Sequence, residues 1–175
     1  KLEGLGLKPA VLSLLMSPSA AVRKYAVEYA RAHATDLPHA TVVDYAITGA
    51  PETSAWAMSV LETVPAKTLG LPLLSRMLGV QVTANWAITR LEAQFDRNDL
   101  TDAFFVELVY GTGTQRDWAR KYLAERVKQS DQLANFIKAL FADPRRQDTA
   151  LTQNLVRFTR QLMPLIAAEH LGAPW

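Results

Sequence analysis

An aromatic residue followed by alanine recurs along the chain, at Tyr25-Ala26, Trp56-Ala57, Trp86-Ala87 and Trp118-Ala119, with the alanines 31, 30 and 32 residues apart. One further step of 31 lands on Ala150, preceded by Thr149. With each alanine as position zero, position −14 holds Leu12, Val43, Leu73, Phe105 and Phe136, and position −10 holds Met16, Ile47, Met77, Val109 and Leu140. Position +4 holds Ala30, Leu61, Leu91, Leu123 and then Asn154. A step of four keeps two side chains on one face of a helix. Each period therefore predicts two amphipathic helices, an upstream A helix and a B helix carrying the alanine.

Turn chemistry separates the two helices of each period. It reads Ser17-Pro18-Ser19, Gly49-Ala50-Pro51-Glu52, Gly79, Gly111-Thr112-Gly113 and Asp143-Pro144. Glycine is expected to supply a left-handed helix ending and proline the first turn of the next helix. Strand signals are nearly absent; Thr41-Val42-Val43 is β-branched but occupies the A-helix slot of the second period. A lone hairpin cannot bury its apolar face, so neighbouring copies must cover it. The prediction is an all-α, right-handed solenoid of about five antiparallel helical hairpins forming one domain, 1–175, with repeats near 8–36, 39–67, 70–98, 102–129 and 131–162. Residues 163–175 are then a terminal cap packed over the last B helix. The alanine marks a close approach, and the aromatic before it is expected to fill the groove between adjacent B helices.

The most specific signal is Ser17-Pro18-Ser19-Ala20-Ala21-Val22-Arg23-Lys24-Tyr25-Ala26. It resembles the turn and second helix of HEAT (armadillo-type) repeats, where a proline turn leads to Val-Arg and then Ala. Later repeats keep the alanine and lose Val-Arg; Gln115-Arg116 and Arg146-Gln147 are faint echoes. The period near 31 is similar to that of the compact HEAT-like repeats of bacterial proteins, and tetratricopeptide repeats fit less well. The resemblance implies a fold and a binding scaffold, without a reaction.

In such solenoids the B helices line the ligand-facing surface. Positions −2, +2 and +5 point away from the core. They read Lys24, Glu28, Arg31; Ala55, Ser59, Glu62; Asn85, Thr89, Glu92; Asp117, Lys121, Ala124; and Asp148, Thr152, Leu155. The stripe is mixed in sign. A groove tracking DNA or RNA is lined with Lys and Arg, because phosphate neutralisation drives such binding. The basic residues gather elsewhere: between Gln115 and Arg160 there are ten, against five acids. Arg116, Arg120, Arg126, Lys128, Arg145 and Arg146 form the candidate patch, behind an acidic stretch of Asp96, Asp99, Asp102 and Glu107. The fifth repeat departs from the pattern, with Leu155 and Val156 on faces exposed elsewhere.

Composition changes this picture little. The chain has 175 residues, 49% of them hydrophobic, enough for a sizeable core. Nineteen basic and 17 acidic side chains leave a formal charge of only +2. The absence of cysteine removes disulfides, thiolate chemistry and Cys-based zinc sites, and suits a reducing, cytoplasmic setting. No apolar run approaches the roughly 20 residues of a membrane span. With Lys1-Leu2-Glu3-Gly4 and no initiator Met, the chain reads as a piece of a longer polypeptide.

Catalytic chemistry is sparse. His33, Asp36 and His39 have zinc-like spacing, but Pro38 and the loop setting argue for surface residues, and no fourth ligand is evident. Glu169 and His170 are adjacent and would not face each other on a helix. Gly111-Thr112-Gly113-Thr114 lacks a preceding strand and a following Gly-Lys-Ser/Thr, so it reads as an inter-helix turn with Thr114 as N-cap. The expectation is a non-enzymatic protein-interaction scaffold without metal or cofactor, binding another protein or a neighbouring domain. The alternative is a nucleic-acid module using the basic C-terminal third. HEAT-like DNA glycosylases are its precedent, and this chain lacks their density of groove cations and a placed catalytic Asp.

Overall fold

The computed structural model describes residues 7–127 and 129–167. They form ten α-helices and three short 3-10 turns, with no strand among the described residues. None of these helices is long and apolar enough to cross a membrane. The chain divides into two compact units, Lys1–Met77 and Leu78–Trp175.

The first unit contains α1 (Lys8–Ser13), a 3-10 turn (Leu14–Met16), α2 (Ala20–His33), α3 (His39–Thr48), α4 (Pro51–Glu62) and most of α5 (Ala66–Leu78). Gly49 and Ala50 join α3 to α4, and the two helices pack along their length. The α2 helix packs against α4 and against the 3-10 turn. Pro51 sits at the start of α4, where its fixed φ and missing N–H are no liability. The core is Leu15, Ala26, Val43, Trp56, Ala57 and Leu61. Arg23, of the Val-Arg pair, ties the turn together. Its guanidinium donates to the Ser17 and Pro18 carbonyls at 2.9 Å each and pairs with Glu52 on α4 at 3.2 Å. The Thr53 hydroxyl, wholly buried, donates to the Leu15 carbonyl at 2.7 Å and pins α4 to the same turn.

The α5 helix is interrupted at Gly70, which has φ 77° and is followed by Leu71-Pro72. A left-handed residue costs a β-carbon-bearing side chain energy that glycine does not pay. Among the described residues this is the only positive-φ glycine. The expected left-handed endings at the inter-helix glycines are therefore absent. Gly49 and Gly111 are needed for room instead: a β-carbon at Gly49 would collide with the Tyr45 carbonyl, and one at Gly111 with the Gln115 side chain.

The second unit contains α6 (Gln81–Gln94), α7 (Asp102–Tyr110), α8 (Gly113–Arg126), α9 (Ser130–Ala142), a 3-10 turn (Pro144–Gln147), α10 (Thr149–Leu162) and a last 3-10 turn (Met163–Leu165). The α8 helix lies between α6 and α10, and α7 packs on α8, α9 and α10. Thr101 caps α7 by accepting from the Phe104 amide at 3.2 Å. A capping box opens α8: Thr112 accepts from the Gln115 amide and Gln115 accepts from the Thr112 amide at 2.6 Å. The cap is thus Thr112, not Thr114, because the helix already begins at Gly113 and Thr112 holds the extended conformation of an N-cap residue. Aromatic rings run through this core, with Phe105 stacked on Trp118 at 6.1 Å, Phe136 edge-on to Phe105 at 6.2 Å and Phe158 edge-on to Phe136 at 6.2 Å.

Ala26, Ala57, Ala87 and Ala119 are all completely buried, as are Leu61, Leu91 and Leu123 at position +4. Three expected core positions give way to a neighbour. Leu15 is buried where Met16 is exposed, and Leu74 is buried where Leu73 is only half so. Ala46 is buried beside a half-buried Ile47. Trp56 and Trp118 are buried, but Trp86 is half-buried and Tyr25 is 56% exposed, so the aromatic does not fill a groove in every case.

On α10 the expected phase fails. Ala150 is exposed, and the outward position Leu155 is buried. The buried set Leu155, Phe158, Thr159 and Leu162 has the spacing of Gln115, Trp118, Ala119 and Tyr122 on α8. Phe158-Thr159 therefore takes the place expected for Thr149-Ala150. The extra 3-10 turn between α9 and α10 delays the helix and shifts the face that meets its neighbours.

Candidate binding site

The outward positions of the B helices are exposed through α2, α4, α6 and α8. Several are already engaged. In the first unit Glu28 and Arg31 form an i,i+3 ion pair at 3.7 Å, and the Ser59 hydroxyl donates back to the Trp56 carbonyl at 2.6 Å. Lys24 and Glu62 are exposed beside them. In the second unit the Thr89 hydroxyl donates to the Asn85 carbonyl at 3.0 Å. Glu92 accepts from the Trp118 indole at 3.1 Å and lies 3.8 Å from Arg126. Asp117 and Lys121 remain exposed on α8.

The basic patch does not assemble as one surface. Arg145 is clamped by carboxylates at the surface: its guanidinium donates to both oxygens of Glu107, at 2.7 and 3.0 Å, and to both of Asp143, at 2.7 and 2.9 Å. It also lies 4.5 Å from the centre of the Tyr110 ring. The same bonds hold the Asp143 carboxyl below its ordinary range, and burial pushes the Tyr110 phenol up. Arg126 is spent on Glu92 and on the face of Tyr122. Lys128 lies outside the described residues. Arg146 lines a separate cavity. Only Arg116 and Arg120 stay together.

Those two project from one face of α8, one turn apart. Across from them stand Asn154, Arg157 and Gln161 of α10, and the groove between encloses about 250 Å³. Arg116 donates to the Gly111 carbonyl at 2.6 Å, which fixes its guanidinium at the groove wall. The side chains of Arg120 and Arg157 form no ion pair or hydrogen bond with any described residue. Asp117 is the one carboxylate lining this groove. Arg157 was visible in sequence as a basic residue, but nothing local links it to α8, since the neighbours are separated by all of α9.

A second concavity, of about 620 Å³, opens on the other side of α10. It is lined by Ile137 and Phe141 of α9, Val156 of α10, and Met163 and Pro164 of the following turn. Arg146 and Arg160 stand at it, and neither side chain forms a hydrogen bond or ion pair with a described residue. It opens where the α9 and α10 backbones diverge: α9 packs on α7, α10 packs on α8, α7 and the 3-10 turn, and the two helices meet through Phe136 and Phe158. The sequence signal was Val156, an apolar residue at an outward position, and it is 53% exposed.

The residues weighed for catalysis lie apart. His33 rests against the Tyr29 ring at 4.7 Å, Asp36 pairs with Lys8, and His39 is the first residue of α3. The Lys8 ammonium holds the Asp36 carboxyl below its usual range. Among the described residues no three His, Asp or Glu side chains converge as a metal-ligating group. His170 and Glu169 lie outside the described residues, as does 168–175, the larger part of the segment 163–175 expected to cap the last B helix. In comparison with known proteins, no family model, no curated protein and no solved structure matches this chain.

Proposed function

We propose that this chain is a non-catalytic protein-interaction scaffold, a HEAT-like α-solenoid module that holds a segment of a partner protein beside α10. The observation that carries this reading is the apolar cavity lined by Ile137, Phe141, Val156, Met163 and Pro164. Its volume of about 620 Å³ lies within the range of roughly 300–1,000 Å³ typical of ligand sites. Arg146 and Arg160 beside it call for negative charge, so the occupant is a short segment with an apolar side chain flanked by Asp or Glu. The recurring buried alanines at 26, 57, 87 and 119 support the solenoid reading, because stacked hairpins need a small residue where helices approach closely.

The test is selection of displayed peptides carrying one large apolar residue between acidic ones. Binding is expected to be lost on Val156→Arg and weakened on Arg160→Glu, and to survive Arg31→Glu on the first unit. Selected peptides that bind Val156→Arg as well as the parent chain would overturn the proposal. Retention on duplex DNA with a steep salt dependence would replace it by the nucleic-acid reading.

A further inference from the structure

We infer that the groove between α8 and α10 is a binding site for a single phosphoryl group carried on a protein segment. The inference rests on the scaffold reading only in taking the bearer of the phosphate to be a protein. Its geometry is independent of the apolar cavity, which lies on the opposite side of α10.

Three guanidinium groups line this groove, Arg116 and Arg120 from α8 and Arg157 from α10, with Asp117 the lone acid. Three other arginines of the second unit are each paired with a carboxylate, whereas Arg146 and Arg160 stand on separate elements at the apolar cavity rather than converging with a third cation. Arg97 has Asp102 at 2.7 Å, Arg126 has Glu92, and Arg145 has both Asp143 and Glu107. Arg120 and Arg157 have no such neighbour among the described residues, although Arg120 is half-buried. Like charges one helical turn apart repel. An anion in the groove relieves that repulsion.

The chemistry favours a phosphate monoester. Three arginines and one aspartate leave a surplus of two positive charges, against about −1.5 to −2 for a phosphorylated side chain at neutral pH. Guanidinium forks match phosphate oxygens in pairs. The Asn154 and Gln161 side chains offer further amide donors. The end of α8 is not the source of the site, because its capping box already occupies the Thr112 and Gln115 amides. A nucleic-acid backbone is disfavoured, because the next helix along, α6, offers Asn85, Thr89 and Glu92 and no cation at its outward positions. The charge surplus suffices for one phosphate and does not continue as a track.

The experiment compares a degenerate peptide pool with a fixed central phosphoserine against its unphosphorylated twin, alongside inorganic phosphate and a DNA duplex. All are titrated against the full chain by fluorescence anisotropy or competition. The phosphorylated pool is expected to bind at least about tenfold more tightly than its twin, one such factor corresponding to a single charge-assisted contact. Arg120→Gln and Arg157→Gln should each remove that preference with unchanged circular dichroism, and Arg120→Lys should restore part of it. Val156→Arg should leave it intact, so failure of the cavity and failure of the groove are read separately. Equal binding of the two pools, or a preference that survives Arg157→Gln, would overturn the inference. So would tighter binding of the duplex than of the phosphopeptides. Binding of inorganic phosphate as tight as that of the peptides would overturn the protein segment as its bearer.

Discussion

The α3–α4 pair and the α9–α10 pair begin from the same sequence pattern and end differently. In the first, two residues join the helices, Gly49 leaves no room for a side chain, and Trp56 and Ala57 are sealed against α3 and α2. In the second, a 3-10 turn held by Asp143, Arg145 and Glu107 separates the helices, and a cavity of about 620 Å³ stands between them. The lesson is that hairpin closure is set by the connection as much as by the apolar faces. A short linker with a glycine brings two helices into register, whereas a longer one with its own structure lets the second helix choose another neighbour.

Truncation should separate the two pairs most sharply. Trp56→Ala is expected to cost about 3–5 kcal/mol in chemical denaturation, as buried aromatics do. Val156→Ala at the cavity should change stability by less than ~0.5 kcal/mol. A comparable loss at both would show that the cavity is part of the sealed core. Next in size is overpacking. Ala57→Leu should lower stability by ~1–3 kcal/mol, since its side chain is wholly enclosed. Ala150→Leu, at the exposed position in the same sequence register, should be neutral within ~0.5 kcal/mol.

Glycine substitutions should give opposite signs. Gly49→Ala forces a β-carbon onto the Tyr45 carbonyl and should destabilise by ~1–3 kcal/mol. Gly113→Ala, with nothing near the added carbon, should stabilise by ~0.4–1 kcal/mol through the unfolded chain. Thermal melts of the two variants decide it. The smallest effect is one of pH. Arg145 holds the Asp143 carboxyl below its unfolded value. A depressed folded-state pKa gives stability that is present above the unfolded pKa and lost as pH falls through the folded one. Hydrogen-exchange protection across residues 143–148, taken relative to the intrinsic rate at each pH, should therefore fall in acid, and Asp143→Asn should blunt that change; an unchanged protection profile would remove the clamp from the linker's energetics.

Helix content and the four enclosed alanines were legible because hydrophobic period is a local property, written within one or two turns. Met16 and Leu73 were misplaced by one residue because neighbouring apolar side chains compete for the same buried position, and only the approach of another helix decides between them. The binding surfaces were legible in part. Arg116 and Arg120 were visible as a pair on one helix, but Arg157 entered their groove only through the packing of α10.

The sequence by itself determined a chain of amphipathic helices, the positions of most turns and the small residues at close contacts, since each depends on spacing along a few residues. Tertiary structure alone decided the phase of α10, the gap beside it, and which arginines are left without a carboxylate partner. Those outcomes depend on long-range neighbours, such as Glu107 reaching Arg145 across α9. A carboxylate that arrives from another helix completes the clamp that the local Asp143 only begins.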